Sequence, residues 1–270
     1  METKHTFSAE GMIAVVTGGG SGIGRAFCEV LAAAGARHIV VADINHDNAE
    51  SVAAEINARH LGKAIAVTLD VSDEEAVSGL ITRIRQEIGE IDFWFSNAGI
   101  NVGSGIGSAP DWQRSIGVNV LGHVHAARAL MPGMQARQRG WFVMMASAAG
   151  LLSDFRTAPY TATKHAAVAF AEWLAITNSG AGVSVHCVCP EGVRTAMTKA
   201  DSLNAAKGMT FLEPDEVARF TLDRVGAGEF LILPHPRVAE YEQRRASDRS
   251  RWIASMGKAY QRTVPPQATH

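Results

Sequence analysis

The 270-residue chain has few of the features that mark a secreted, membrane or nucleic-acid-binding protein. Its three cysteines are too few and too scattered for a disulfide framework. Cys187 and Cys189 fall on one strand face and Cys28 on a helix, so all three read as buried thiols in a reducing compartment. No apolar run is long enough to span a bilayer. The first residues, Met1 to Glu10, are polar and lack the apolar core of a leader peptide. The net charge of −2 leaves no excess of one sign to hold nucleic acid or an anionic membrane. Internal repeats and low-complexity tracts are absent. His123 and His125 stand two apart and do not share a helix face, so no metal is expected. The expectation is a cytoplasmic protein that acts on a small molecule.

What the chain does have is apolar material, 47% of its residues, arranged in alternating short and long segments. Short apolar runs at Met12–Thr17, His38–Asp43, Ala64–Asp70, Ile91–Ser96, Trp141–Ser147, Val183–Cys189 and Phe230–Leu233 predict strands. Amphipathic stretches at Gly22–Ala34, Asp47–His60, Asp73–Ile88, Asp111–Arg137, Pro159–Asn178, Pro214–Val225 and Arg237–Arg262 predict helices. Asp73, and Asp111 after Pro110, mark helix starts. Strand and helix in repeated alternation predict an α/β, doubly wound seven-stranded parallel sheet with helices on both faces. No domain boundary interrupts it, so residues 1–270 are expected to form one Rossmann-type domain with a helical C-terminal extension at about 237–262.

One turn gives this sheet a use. After the strand ending at Thr17 come Gly18, Gly19 and Gly20, then Ser21-Gly22-Ile23-Gly24 opening a helix. Backbone without Cβ atoms can approach a pyrophosphate closely, and the helix N-terminus supplies free N–H groups. Asp43 ends the second strand, roughly twenty positions beyond the glycines, where a carboxylate accepts hydrogen bonds from the ribose of NAD. It would repel the 2′-phosphate of NADP, and Ile44-Asn45-His46 brings no Lys or Arg to offset it. The predicted cofactor is therefore NAD.

A second constellation carries chemistry. Ser147 ends the fifth strand, and Tyr160 and Lys164 follow at i and i+4 on one helix face, just after Pro159. A free phenol has a pKa of about 10 and is a poor base at neutral pH. A cation at ~4 Å and an effective dielectric near 20 favours the phenolate by about 4 kcal/mol, or about three pKa units. Asn119, in mid-helix, is a weak helix former; either it is a core amide bonded to a neighbouring strand or it is a catalytic amide that holds a water.

Taken together, the spacing Gly18, Gly22, Gly24, the strand-end Ser147 and the Tyr160-x-x-x-Lys164 pair resemble the short-chain dehydrogenase/reductase family over about residues 10 to 235. The resemblance implies a tetrad of Asn119, Ser147, Tyr160 and Lys164. In it, Tyr160 is the general acid/base and Ser147 orients the substrate oxygen. Lys164 lowers the Tyr160 pKa and binds ribose hydroxyls, and Asn119 holds a relay water. It also implies cofactor contacts from Ser21, Ile23, Ile44, Asp70, Val71, Asn97, Ala98, Gly99, Pro190, Val193 and Thr195. Two positions depart from the family pattern: Ser96 stands where an Asn is usual, and Glu191 where a Gly is usual. Glu191 faces either the substrate pocket or solvent. The resemblance further implies a substrate lid at about 195–212 and a pocket built from Leu151, Leu152, Phe155, Met197, Leu203, Met209 and Phe211. Such a pocket suits a secondary alcohol or ketone on a bulky apolar body: alicyclic, steroid-like or aromatic.

His165 and His235 read as structural, His235 as a turn residue between two prolines. Tyr241, Trp252, Met256 and Tyr260 form a stripe that caps the pocket, packs on a neighbouring subunit or packs on its own domain. A homodimer or homotetramer is implied, with the helices Asp111–Arg137 and Pro159–Asn178 at the interface. Two other classes compete with a dehydrogenase. A catalytically silent NAD(H) sensor would not need the tetrad, and an epimerase or dehydratase would bring a larger C-terminal domain.

Overall fold

The computed structural model describes residues 7–60, 63–199 and 210–263. Seven strands, β1 (Ile13–Thr17), β2 (His38–Asp43), β3 (Lys63–Thr68), β4 (Phe93–Ser96), β5 (Gly140–Met145), β6 (Val183–Val188) and β7 (Leu231–Ile232), form one sheet in the order β3-β2-β1-β4-β5-β6-β7. Every pairing is parallel. The doubly wound α/β architecture expected from the sequence is thus the observed one. No helix among the described residues is long and apolar enough to cross a membrane.

Strand residues are buried on both faces, so successive side chains feed two cores. Ile13, Val15, Trp94 and Phe142 point to one face, against α3 (Glu74–Glu87), α5 (Gly122–Arg137) and α7 (Ala158–Thr177). Ala14, Val16, Phe93 and Phe95 point to the other, against α1 (Gly22–Ala33), α2 (His46–Arg59) and α9 (Pro214–Gly226). Phe27 of α1 and Phe95 of β4 sit with ring centroids 3.9 Å apart, both fully buried. Burying each such ring stabilises the fold by about 1.5–3 kcal/mol.

Local chemistry sets the helix starts. Asn45 caps α2 and Asp73 caps α3, each side chain accepting a backbone N–H three residues on. Asp111 does not begin its helix. Ser108 caps α4 (Ala109–Ile116), and Asp111 closes a capping box three residues in. The expected helix Asp111–Arg137 is likewise not continuous: a π-helical turn, Gly117–Leu121, separates α4 from α5. Two short helices went unforeseen, α6 (Ala149–Leu152) and α8 (Ala196–Lys199). The expected C-terminal helix is two helices, α10 (Arg237–Ser247) and α11 (Arg249–Thr263). Between them Asp248 is extended, and its carboxylate accepts the Arg251 N–H at 2.9 Å, as an N-cap does. The stripe along these helices packs on its own chain: Tyr241 and Trp252 join the core beside Val238.

Candidate active site

An all-parallel sheet places the C-terminal ends of its strands along one edge, and a crevice opens where the strand order reverses, here between β1 and β4. A cleft of about 330 Å³ occupies that place. Most of the residues expected from the sequence line it: Gly18, Ser21, Gly22, Ile23, Asp43, Ile44, Asp70, Val71, Asn97, Ala98, Gly99, Ser147, Tyr160, Lys164, Pro190, Glu191, Val193, Thr195 and Met197.

The glycine turn is built by contact. A Cβ on Gly24 would stand 2.0 Å from the Gly18 carbonyl oxygen, so only glycine lets α1 close on the turn. Gly24 therefore acts in packing rather than in the cleft wall. Gly22 holds φ +51, in the left-handed region. Ser21 makes no side-chain cap on α1, so the helix opens into the cleft without a side chain covering its first N–H groups. Asp43 is fixed from behind: one carboxylate oxygen accepts Gly20 N–H and the other Asn45 N–H, both at 2.9 Å. Thr17 ties β1 to the end of β4, its hydroxyl accepting the N–H groups of Asn97 (3.0 Å) and Ala98 (3.1 Å).

Tyr160 and Lys164 rise from the first turns of α7, in the cleft wall that also carries Ser147. Lys164 is buried, and its ammonium donates to the Met145 carbonyl at 2.9 Å. Burial pushes its pKa down to about 8. The expected effect of Lys164 on Tyr160 is corrected here. The ammonium lies 5.8 Å from the Tyr160 ring centre, tied to Met145. Burial of the phenol outweighs the lowering influence of the nearby Ser147 hydroxyl, and the Tyr160 pKa is raised.

Asn119 lies in the π-helical turn and is fully buried. Its amide holds the loop that follows β4: Oδ1 accepts Ile100 N–H (2.8 Å), while Nδ2 donates to the Ile100 carbonyl (2.9 Å) and to Thr163 Oγ1 (3.1 Å). Both amide protons are thereby used, and the side chain joins the Gly99–Ile100 wall to α7. It does not itself line the cleft. Ser96, at the position where an Asn is usual, is buried against His123, its Oγ 2.7 Å from Nδ1.

The expected substrate pocket is only partly formed as foreseen. Leu151 and Leu152 are residues of α6 itself, turned into the core. Phe155 faces α11 instead, its ring centre 5.6 Å from that of Tyr260, in a separate cavity. Leu203 and Met209, with most of the lid at 195–212, lie outside the described residues. The described ends of that segment meet: Leu212 N–H donates to the Gly192 carbonyl, and Arg194 N–H to that of Leu212. Glu191 both lines the cleft and ion-pairs with Arg237 at 2.5 Å. His235 opens the turn into α10, as expected, its carbonyl accepting Val238 N–H, but it is more than a turn residue: it is buried and its ring bonds the backbone at Glu191 and Gly192. Sequence reasoning missed Leu69, Ile100, Val118, Met145 and Ala146, all in the cleft wall, where Ala196 and Thr198 from the start of the expected lid also lie. Each lies within a few residues of a strand-end or helix-start motif, which was the available signal.

Glycine turn, strand-end acid and Ser-Tyr-Lys cluster on one sheet edge define a Rossmann-type oxidoreductase. The short chain dehydrogenase family profile matches residues 12–206. The chain belongs to that family. It is 34% identical over 215 residues to meso-2,3-butanediol dehydrogenase of Serratia marcescens, covering 76% of this chain and 84% of the relative. It is 33% identical to rat (Rattus norvegicus) 17-beta-hydroxysteroid dehydrogenase 13, over 84% and 75% of the two chains. A crystal structure of a short-chain dehydrogenase/reductase from Burkholderia phymatum in complex with NAD superposes with a TM-score of 0.81 at 29% identity, over 97% of this chain and 100% of the other.

Proposed function

We propose that the chain is an NAD-dependent dehydrogenase and ketone reductase acting on a secondary alcohol or ketone with a bulky apolar body. The observation that carries this reading is the convergence, in one cleft, of Ser147, Tyr160 and Lys164 with the glycine turn and Asp43. The cleft fits a dinucleotide: the uncapped start of α1 suits a pyrophosphate, and Asp43, held by two backbone N–H groups, suits ribose hydroxyls. Asp70 and Val71 in the same cleft are proposed to hold the adenine, and Val193 and Thr195 the nicotinamide. When bound, NAD supplies the hydride acceptor and NADH the hydride donor.

The chain's own residues handle the proton and the oxygen. Ser147 donates to the substrate oxygen and stabilises negative charge developing there. Tyr160, with its raised pKa, rests as the neutral acid and can hand its proton to a ketone oxygen. In the alcohol direction Tyr160 accepts that proton, and the nearby Ser147 hydroxyl favours the phenolate it needs. Lys164 offers its remaining N–H donors to ribose hydroxyls. Asn119 keeps the Gly99–Ile100 wall in register with α7, and as proposed family member of the tetrad it also holds a relay water. Ile100, Val118 and Met197 give the cleft apolar surface for the substrate body. The site is proposed to work in the cytoplasm, in a homodimer or homotetramer.

The test is initial-rate NADH formation with a panel of secondary alcohols, for the parent and Tyr160→Phe. Turnover that falls by about 10²–10⁴ in the Phe variant, with cofactor binding retained, supports the enzyme. Intact NADH binding with no turnover of any panel alcohol by the parent favours the silent sensor. Turnover confined to small polar polyols removes the bulky apolar substrate.

A further inference from the structure

The loop leaving β6 carries Pro190, Glu191, Val193 and Thr195 along one wall of the cleft. It is held from outside by the segment that follows β7. His235 Nδ1 accepts the Glu191 N–H at 3.1 Å, and its Nε2 faces the Gly192 carbonyl at 3.1 Å. These partners fix the tautomer. An amide N–H must meet a lone pair, and a carbonyl must meet an N–H, so the proton is on Nε2. One neutral imidazole thus clamps two consecutive residues of the loop. Next to it, Arg237 Nε donates to Glu191 Oε2 at 2.5 Å, and the Glu191 side chain is only 14% exposed.

The clamp has a firm base. Pro234 and Pro236 restrict the backbone on either side of His235. The His235 carbonyl accepts Val238 N–H at 3.0 Å at the start of α10, and Val238 is fully buried. Neither His235 nor Arg237 lines the cleft. Glycine at position 191 would offer Arg237 no carboxylate; Glu191 gives the loop a second anchor.

We propose that His235, seconded by the Arg237–Glu191 ion pair, is a positioning residue that sets the backbone of the β6 loop, and with it Val193 and Thr195, for the nicotinamide end of the cofactor. This rests on the reading of the cleft as an NAD(H) site. His235 touches neither cofactor nor substrate; it acts through the Glu191–Gly192 backbone.

Two measurements on the full chain test it in the parent, His235→Gln and His235→Leu: amide hydrogen exchange, and titration with NAD⁺ and NADH. Gln presents an acceptor and a donor about as far apart as the imidazole nitrogens, whereas Leu fills space with neither. In the Leu variant, exchange at residues 191–195 is expected to rise about tenfold or more while the amides of β1 and β4 are unchanged. Dinucleotide affinity should weaken about tenfold, with cofactor KM rising more than kcat falls, and the Gln variant should recover most of both effects. Exchange that is unchanged, or raised throughout the molecule, overturns the proposal. So does local loosening with undiminished affinity, or a Gln variant as impaired as Leu. A parent that binds neither NAD nor NADP overturns the cofactor reading and the proposal with it. A parent that binds NAD tightly while the Leu variant matches it overturns the proposal alone.

Discussion

On the proposed function, Asp43 is the residue that discriminates between the two nicotinamide dinucleotides, and its own geometry leaves it little freedom. Both of its oxygens already accept a backbone N–H, from Gly20 and Asn45, and the carboxylate is set in the cleft wall. A 2′-hydroxyl can donate to it, whereas a 2′-phosphate would bring like charge against it. Asp43→Asn keeps the shape and removes the charge. The ratio of kcat/KM for NAD over NADP is expected to fall about ten- to a hundredfold, read from initial rates with each cofactor. An unchanged ratio would place the discrimination elsewhere. His123 gives a pH signature. Burial, and secondarily the Lys164 charge, lowers its pKa from 6.5 to about 3. Between those values the unfolded chain takes up a proton that the folded chain refuses. The folded state is therefore at full stability above the ordinary value and loses stability as pH falls toward the lowered one. By about pH 5 the loss is ~2 kcal/mol. Urea midpoints at about pH 5 and pH 7 should differ more in the parent than in His123→Asn; equal differences would clear His123 of the effect. The residue types and spacings of the site were legible in the sequence because Gly, Asp, Ser, Tyr and Lys each carry one chemistry at a strand end or helix start. The charge balance at Tyr160 was not. It depends on where the Lys164 ammonium is tied, and that partner, the Met145 carbonyl, has no sequence signature.

At the scale of elements, the strand–turn–helix unit at the head of the chain is the part most strictly imposed. The Cβ of Gly24→Ala would lie 2.0 Å from the Gly18 oxygen and 2.7 Å from Asn97 Nδ2, so the turn, or the end of β4, must shift. A loss of about 1–3 kcal/mol is expected, with at least tenfold weaker dinucleotide binding. Gly79→Ala is the matched control. Its Cβ meets nothing within 4 Å on the exposed side of α3, and a gain of about 0.5–1 kcal/mol is expected from helix propensity alone. Thermal midpoints and nucleotide titration distinguish the two; a neutral Gly24→Ala would deny the close packing its role. Strands and most helices were readable because strands buried on both faces leave short unbroken apolar runs and amphipathic helices a 3.6-residue period. Two breaks were not. The π-helical turn at Gly117–Leu121 keeps helical dihedrals at its ends and interrupts hydrogen bonding, not amphipathicity. The break at Asp248 rests on one cap residue inside a polar stretch that otherwise reads as one helix.

At the scale of the molecule, loops defeat sequence reading for a related reason. Leu151, Leu152 and Phe155 are as apolar as any pocket wall, yet they pack into the core or against α11. Apolar character alone does not say which side of a loop is wet. The same ambiguity runs in reverse on α7, which carries Tyr160 and Lys164 at its start and leaves Trp173 58% and Ile176 75% exposed near its end. Three positions apart, these two share a helix face, and Phe170 stacks on Trp173 at 6.3 Å. Ile116, just before the π-helical turn, and Leu121, its last residue, are also exposed. Large apolar side chains grouped on the outside of a core helix fit a surface that a second copy of the chain covers. In such an interface the double variant Trp173→Glu, Ile176→Glu would bury carboxylates on each copy at a large desolvation cost. Sedimentation at micromolar concentration is expected to show a dimer or tetramer for the parent and a monomer for the variant. The thermal midpoint should fall with it, since α7 would lose the support of the neighbouring subunit at the end opposite Tyr160. A parent that sediments as a monomer, or a variant that stays assembled, would show that this face of α7 is simply solvated.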